Sequence, residues 1–184
     1  MHSDTAPMQL SPIAQQFVSH WGDMGAAWGV NRTVAQIHAL LFFHGKPLNA
    51  DDLCAALGAA RSNVSNSIKE LLSWNLVRAS KRAGDRREYF ETSADVWELL
   101  RTIVRERKQR EFDPTTQMLR TLIAKPQFEL ESPDTQDRVL ETLRLMESMS
   151  IWTEEMLRLS PSTLDKILRL GASVQRFVRG NGHA

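Results

Sequence analysis

Six residues along one short stretch, Arg61, Ser62, Asn63, Ser65, Asn66 and Lys69, are polar, while Val64, Ile68, Leu71 and Leu72 between and after them are apolar. The apolar set recurs at i, i+4, i+7 and i+8, which predicts an amphipathic helix with the six polar residues on its outward face. Ser and Asn both donate and accept hydrogen bonds, and Arg can grip guanine with two parallel bonds. A little further on, Arg82, Arg86 and Arg87 crowd a turn built around Gly84, with Asp85 placed to orient an arginine. A small-polar helix face beside an arginine-rich turn suits a nucleic-acid duplex: base edges for the first, phosphates or a narrow minor groove for the second.

The charge distribution supports the same chemistry. The 184-residue chain has a formal net charge of only +1. Yet residues 61–110 carry twelve Lys or Arg against seven acids, a net of +5, and residues 127–165 carry three Arg against nine acids, a net of −6. One part of the molecule can therefore face a polyanion while another does a different job.

Those residues need positioning elements, and the sequence supplies signals for them. Ser11-Pro12 starts a helix whose apolar stripe is Ile13, Phe17, Trp21, Met24 and Trp28. Gly22, Gly25 and Gly29 should weaken its later half, by about 1 kcal/mol each where helical. A second helix covers Thr33 to Phe43. Pro47 and Leu48 form a short extended piece, and Asn49 caps a third helix that carries Asp51 and Asp52 in its first turn and stops at Gly58. The polar-faced helix follows over 61–73, with Asn75 in a left-handed conformation at its end. "LVRAS" and "REYFE" make a hairpin around "KRAGDR". Helices are then expected over 94–111, from Asp113-Pro114 to before Pro126, from Ser132-Pro133 to about 160, and from Pro161 to about 180, with "QFELESP" as a linker.

Helix, short strand, helix, turn, helix, hairpin is the order of a winged helix, and the turn at Gly58 makes the chain's third and fourth helices a helix-turn-helix. The fold class expected is mainly α with a small β-hairpin wing, a winged helix-turn-helix domain plus a helical dimerisation region. The division expected is 1–32 for an N-terminal helix on the dimerisation and effector side, 33–93 for the DNA-binding domain, and 94–184 for the C-terminal helical region.

Residues 62–100, "SNVSNSIKELLSWNLVRASKRAGDRREYFETSADVWELL", resemble MarR-type winged-helix regulators. They are more closely similar to the GbsR branch, with its asparagine-valine-serine in the recognition helix, its tryptophan before the "LVR" strand and its "GDRREYF" wing. "FDPTTQML" at 112–119 also looks like that branch. The resemblance runs from about 13 to 125 and is specific between 60 and 119. It implies a dimeric transcriptional regulator of double-stranded DNA, usually a repressor, often near genes for compatible solutes, with choline-like effectors; the cytoplasmic location expected for it rests on the chain's cysteine usage and lack of a span or signal pattern. Carried over by position, Arg61, Ser62, Asn63, Ser65, Asn66 and Lys69 face bases and phosphates, and Arg82, Arg86 and Arg87 are wing residues. Ala60 stands where a capping Ser or Thr is common, and Asn75 replaces a frequent glycine.

Leu145, Met149, Trp152, Met156 and Leu159 step by four and three, as a coiled-coil seam does, beside a second stripe of Val139, Leu143, Met146 and Leu157. A helix apolar on two stripes needs two neighbours, and a second copy of the chain can be one. Trp21, Trp28, Trp97 and Trp152 are candidates for an aromatic cage around a quaternary ammonium effector, in a pocket between the N-terminal helix and the long helices. Against this, tryptophans at helical spacing serve core and interface more often than ligands.

Other classes are disfavoured. The single cysteine, Cys54, excludes an internal disulfide and fits a reducing compartment. No apolar run is long enough to span a membrane, and the first residues lack the pattern of a secretory signal. His20, His38 and His44 lack metal-ligand spacing, and no cofactor is expected. With no glycine-rich phosphate loop, nucleophile elbow or HExxH, no enzyme is expected. The rival reading is a winged helix used for protein–protein contact, which predicts no coherent basic face.

Overall fold

The structure, a computed structural model, describes residues 8–180, with side chains through residue 170. It divides into two compact units, Met1–Ile103 and Val104–Ala184.

In the first unit, α1 (Pro12–Ala27) starts as its sequence dictates: the Ser11 hydroxyl accepts from the Ala14 N–H, and Pro12 occupies the first turn. Its buried face is Ala14, Val18, Gly22 and Gly25, and it packs on α2 (Arg32–His44). The glycines are more than weak points in a helix. A Cβ on Gly25 would lie 2.5 Å from the Ala35 Cβ, so the two helices approach too closely there for any side chain. Gly45, at φ +68°, ends α2.

A two-residue strand, β1 (Leu48–Asn49), leads into α3 (Ala50–Leu57) through a capping box. The Asn49 carboxamide oxygen accepts from the N–H groups of Asp51 and Asp52, and Asp52 accepts from the Asn49 N–H. Gly58, left-handed at φ +60°, turns the chain into α4 (Arg61–Ser73). Asn75 then takes φ +55°, the conformation its type tolerates. β2 (Arg78–Lys81) and β3 (Glu88–Glu91) pair antiparallel from Arg78↔Glu91 to Lys81↔Glu88. β1 adds to the other edge of β3 through Leu48↔Phe90 and Asn49↔Tyr89, giving a three-stranded sheet rather than a lone hairpin. Ile37, Leu40, Leu53, Val34, Val64 and Leu71 are the fully buried heart of this winged helix.

Asp95 accepts from the Trp97 N–H and starts α5 (Val96–Arg107), two residues later than expected, and Leu99 joins the core. The helix does not break before Pro114. It passes through a π turn (Lys108–Phe112), where the Asp113 N–H reaches back five residues to the Lys108 carbonyl, into α6 (Asp113–Ile123). Proline has no N–H and its ring crowds the carbonyl four residues earlier, and widening the preceding turn relieves both problems. The expected linker contains a 3₁₀ turn (Pro126–Leu130), followed by α7 (Pro133–Arg158) and α8 (Pro161–Gly180). α7 has 26 residues and none fully buried. Its Val139, Leu143, Met146 and Leu157 stripe is half-buried, whereas Leu145, Met149 and Trp152 lie exposed.

Candidate nucleic-acid interface

α4 turns Val64, Ser67, Ile68 and Leu71 into the core. That leaves Arg61, Ser62, Asn63, Asn66 and Lys69 exposed and Ser65 half-buried. Its N-cap, Ala60, makes no side-chain cap bond, so the first-turn N–H groups and the positive end of the helix dipole are left without a side-chain cap. Asn63 donates from Nδ2 to the Thr33 hydroxyl at 2.9 Å, which ties its carboxamide to the start of α2. Arg61 pairs with Asp51, but both side chains are well exposed, so the contact is worth about 0–1 kcal/mol and is readily exchanged for a phosphate.

The wing is held by one carboxylate. Asp85 accepts from the Arg87 N–H at 2.9 Å, from Arg87 Nε and Nη2, and from the Tyr89 hydroxyl at 2.8 Å. These hydrogen bonds, from Arg87 first, hold the Asp85 carboxyl far below the usual carboxylate range. Gly84, at φ +80°, closes the turn. Arg82 is committed to a different surface: its guanidinium lies 3.9 Å from the centre of the Tyr89 ring and reaches the Pro47 carbonyl. Among the described contacts none engages Arg86.

A groove of about 540 Å³ runs between α4 and the wing. Arg61, Ser65 and Lys69 line one side, and Arg86, Arg87 and Lys81 the other. Its five cations outnumber the carboxylates of Asp51 and Glu88, so the groove is electropositive. Of the residues singled out in the sequence, the structure brings Arg61, Ser65, Lys69, Arg86 and Arg87 together here. Ser62, Asn63 and Asn66 sit on the exposed helix face outside the groove lining, and Arg82 is turned onto Tyr89. Lys81 was not singled out. Its place as the last residue of β2, paired with Glu88, could have pointed to it.

The four tryptophans lie on three different helices or their ends. Trp21 stacks on Phe17 with ring centres 5.2 Å apart, and Trp28 is the exposed C-cap of α1. Trp97 is half-buried on α5, and Trp152 is exposed on α7 in the other unit. Cys54 is half-buried, and His38 is buried against Thr92. Among the described residues no group of three His, Cys, Asp or Glu could hold a metal ion, and no helix is long and apolar enough to cross a membrane.

Residues 28–88 match the sequence model of the MarR family. The "Putative HTH-type transcriptional regulator YvaV" of Bacillus subtilis (strain 168) is 21% identical over 94 residues, which span 51% of this chain and 53% of that protein. The chain thus covers about half the length of that relative. A solved structure described as "Crystal Structure of a transcriptional regulator" superposes with a TM-score of 0.65 at 18% identity, covering 79% of this chain and 96% of the other, a likeness of fold. Nearly all of the residues that line the groove fall within the 28–88 stretch that matches the MarR-family model, and that stretch is folded as a winged helix-turn-helix.

Proposed function

We propose that the chain is a sequence-specific DNA-binding transcriptional regulator, not an enzyme. The observation that carries this reading is the electropositive groove between α4 and the wing, bordered by the exposed Ser62, Asn63 and Asn66. In this reading α4 enters the major groove, with Asn63 and Asn66 at base edges. A phosphate strand follows the groove against Arg61, Lys69, Lys81 and Arg86, and Asp85 holds Arg87 in a fixed orientation toward the backbone. Each neutralised phosphate adds roughly 0.9 to the slope of log affinity against log salt.

The regulator acts as a homodimer and as a repressor of the GbsR kind. Support for pairing is the exposed Leu145, Met149 and Trp152 stripe on α7, since paired reading heads meet half-sites about 34 Å apart. Choline or a related compatible-solute precursor is its effector; the exposed Trp28 and the half-exposed Trp21 supply the aromatic faces such a cation needs.

Mobility shift on the DNA upstream of the protein's own gene tests the reading. Wild type should bind with steep salt dependence, and Asn63→Ala and Arg86→Ala should fold normally and bind about ten-fold or more weakly. Arg86→Ala should also flatten the salt slope by about one. A wild type that binds no DNA, or variants indistinguishable from it, would leave the winged helix to the rival role of protein contact.

A further inference from the structure

The "FDPTTQML" segment plays no part in the groove, yet the structure gives it a surface of its own. In the second unit, Asp113, Thr116 and Gln117 line a polar cleft of about 670 Å³ between α6 and α7. Lys108, on the π turn, lies within it with its side chain only 15% exposed, between Asp113 at 2.8 Å and Glu154 at 3.0 Å. These two carboxylates, Asp113 first, hold its ammonium above the ordinary lysine range. Residues five apart in a straight α-helix sit about 140° apart around the axis. The i to i+5 turn is what brings Lys108 and Asp113 to one side, and such turns concentrate at functional sites. On the same wall Arg120 spends Nε and Nη2 on a single oxygen of Glu147.

Polar groups of both signs therefore line one volume. A third Lys108 N–H, Arg120 Nη1, the Gln117 carboxamide and the Ser150 hydroxyl have no described hydrogen bond. One oxygen each of Asp113, Glu147 and Glu154 is likewise without a described partner. A bare anion is disfavoured, because three carboxylates outnumber two cations. A quaternary ammonium is disfavoured too, because carboxylate lone pairs call for N–H donors.

We propose that this α6–α7 cleft binds a small zwitterion carrying a carboxylate and a primary ammonium, an α-amino acid or close analogue. Its carboxylate meets Lys108 and Arg120, and its ammonium meets Glu154 and Asp113. The Lys108–Glu154 pair ties the π turn to α7, so a ligand inserted between them replaces a direct link with a bridged one and resets the helix that carries the exposed apolar stripe. Only this last, regulatory step rests on the regulator reading; binding itself does not.

The test is thermal melting of the full chain with each of the twenty common amino acids at about 10 mM, together with Trp fluorescence, since Trp152 lies two residues from Glu154. Glycine betaine, acetate and ethylammonium are the control probes. We expect one chemical group of amino acids to raise the melting temperature saturably and the controls to leave it unchanged. Lys108→Met and Glu154→Gln should each weaken binding at least about ten-fold, and Arg86→Ala should not change it. Should Lys108→Met lose its helical circular dichroism, Gln117→Ala and Ser150→Ala replace it, each expected to weaken binding about three-fold or more. The proposal is overturned if no amino acid shifts the melt, if glycine betaine matches the best amino acid, or if folded cleft variants bind like wild type. Amino-acid binding without DNA binding would sustain this site and remove the regulator reading.

Discussion

Lowering the pH should destabilise the first unit through one buried imidazole. His38, 8% exposed on α2, approaches the Thr92 hydroxyl with Nε2 at 3.2 Å. Thr92 spends its own proton on the Leu76 carbonyl at 2.8 Å, so toward His38 it can only accept. Nε2 therefore carries the hydrogen, and protonation would add the charge at Nδ1, away from any described acceptor. Burial pushes the His38 pKa down to about 4 from the ordinary 6.5. The unfolded chain thus binds a proton that the folded chain refuses between those values, and stability falls as pH drops from 6.5 toward 4. Linkage gives a loss relative to pH 8 of about 2 kcal/mol at pH 5 and about 3 kcal/mol at pH 4, with the plateau below that. Urea unfolding of wild type and His38→Gln at pH 7.5, 6, 5 and 4 isolates the effect, because the carboxylates titrate alike in both proteins. Glutamine keeps an N–H for Thr92 without a titrating ring. The stability difference between the two should move by about 3 kcal/mol in favour of the variant across the series. Parallel curves would refute the assignment of a buried neutral imidazole.

Four further outcomes follow from particular residues. Gly25→Ala should gain about 1 kcal/mol of helix propensity and lose more to the 2.5 Å approach of Ala35, a net loss of about 1–2 kcal/mol in urea unfolding. Gly22→Ala, which meets the flexible Gln36 side chain at 2.6 Å, should come out near neutral or stabilising in the same experiment. Asn49→Ala removes both caps on the first turn of α3 and should cost about 1–2 kcal/mol, read as a fall in melting temperature. Trp152→Glu on α7 should shift the proposed dimer to monomer in light scattering while circular dichroism is unchanged; an unaltered mass would remove the Leu145–Met149–Trp152 stripe from the interface.

Much of the winged helix could be read directly from the chain because its signals are local. Ser11-Pro12, Asn49 with Asp52, Gly45 and Gly58 each settle their own helix end within a few residues. The i, i+4, i+7 spacing of Val64, Ile68 and Leu71 likewise determined which side of α4 would be polar. What depended on distant partners could not be read there. Gly25 looked like a weakness in α1 until Ala35, ten residues away, came to rest against it. Arg82 and Arg86 are both arginines of one turn, yet only the packed Tyr89 ring, reached through the β3 register, separates the one that stacks from the one that faces the groove. Lys81 entered the groove through its cross-strand pairing, and Lys108 met Glu154 across 46 positions of sequence through the packing of α7 against the π turn. Caps and periodicity are properties of neighbouring residues, whereas which charges share a surface is decided only when helices and strands from separate parts of the chain are brought together.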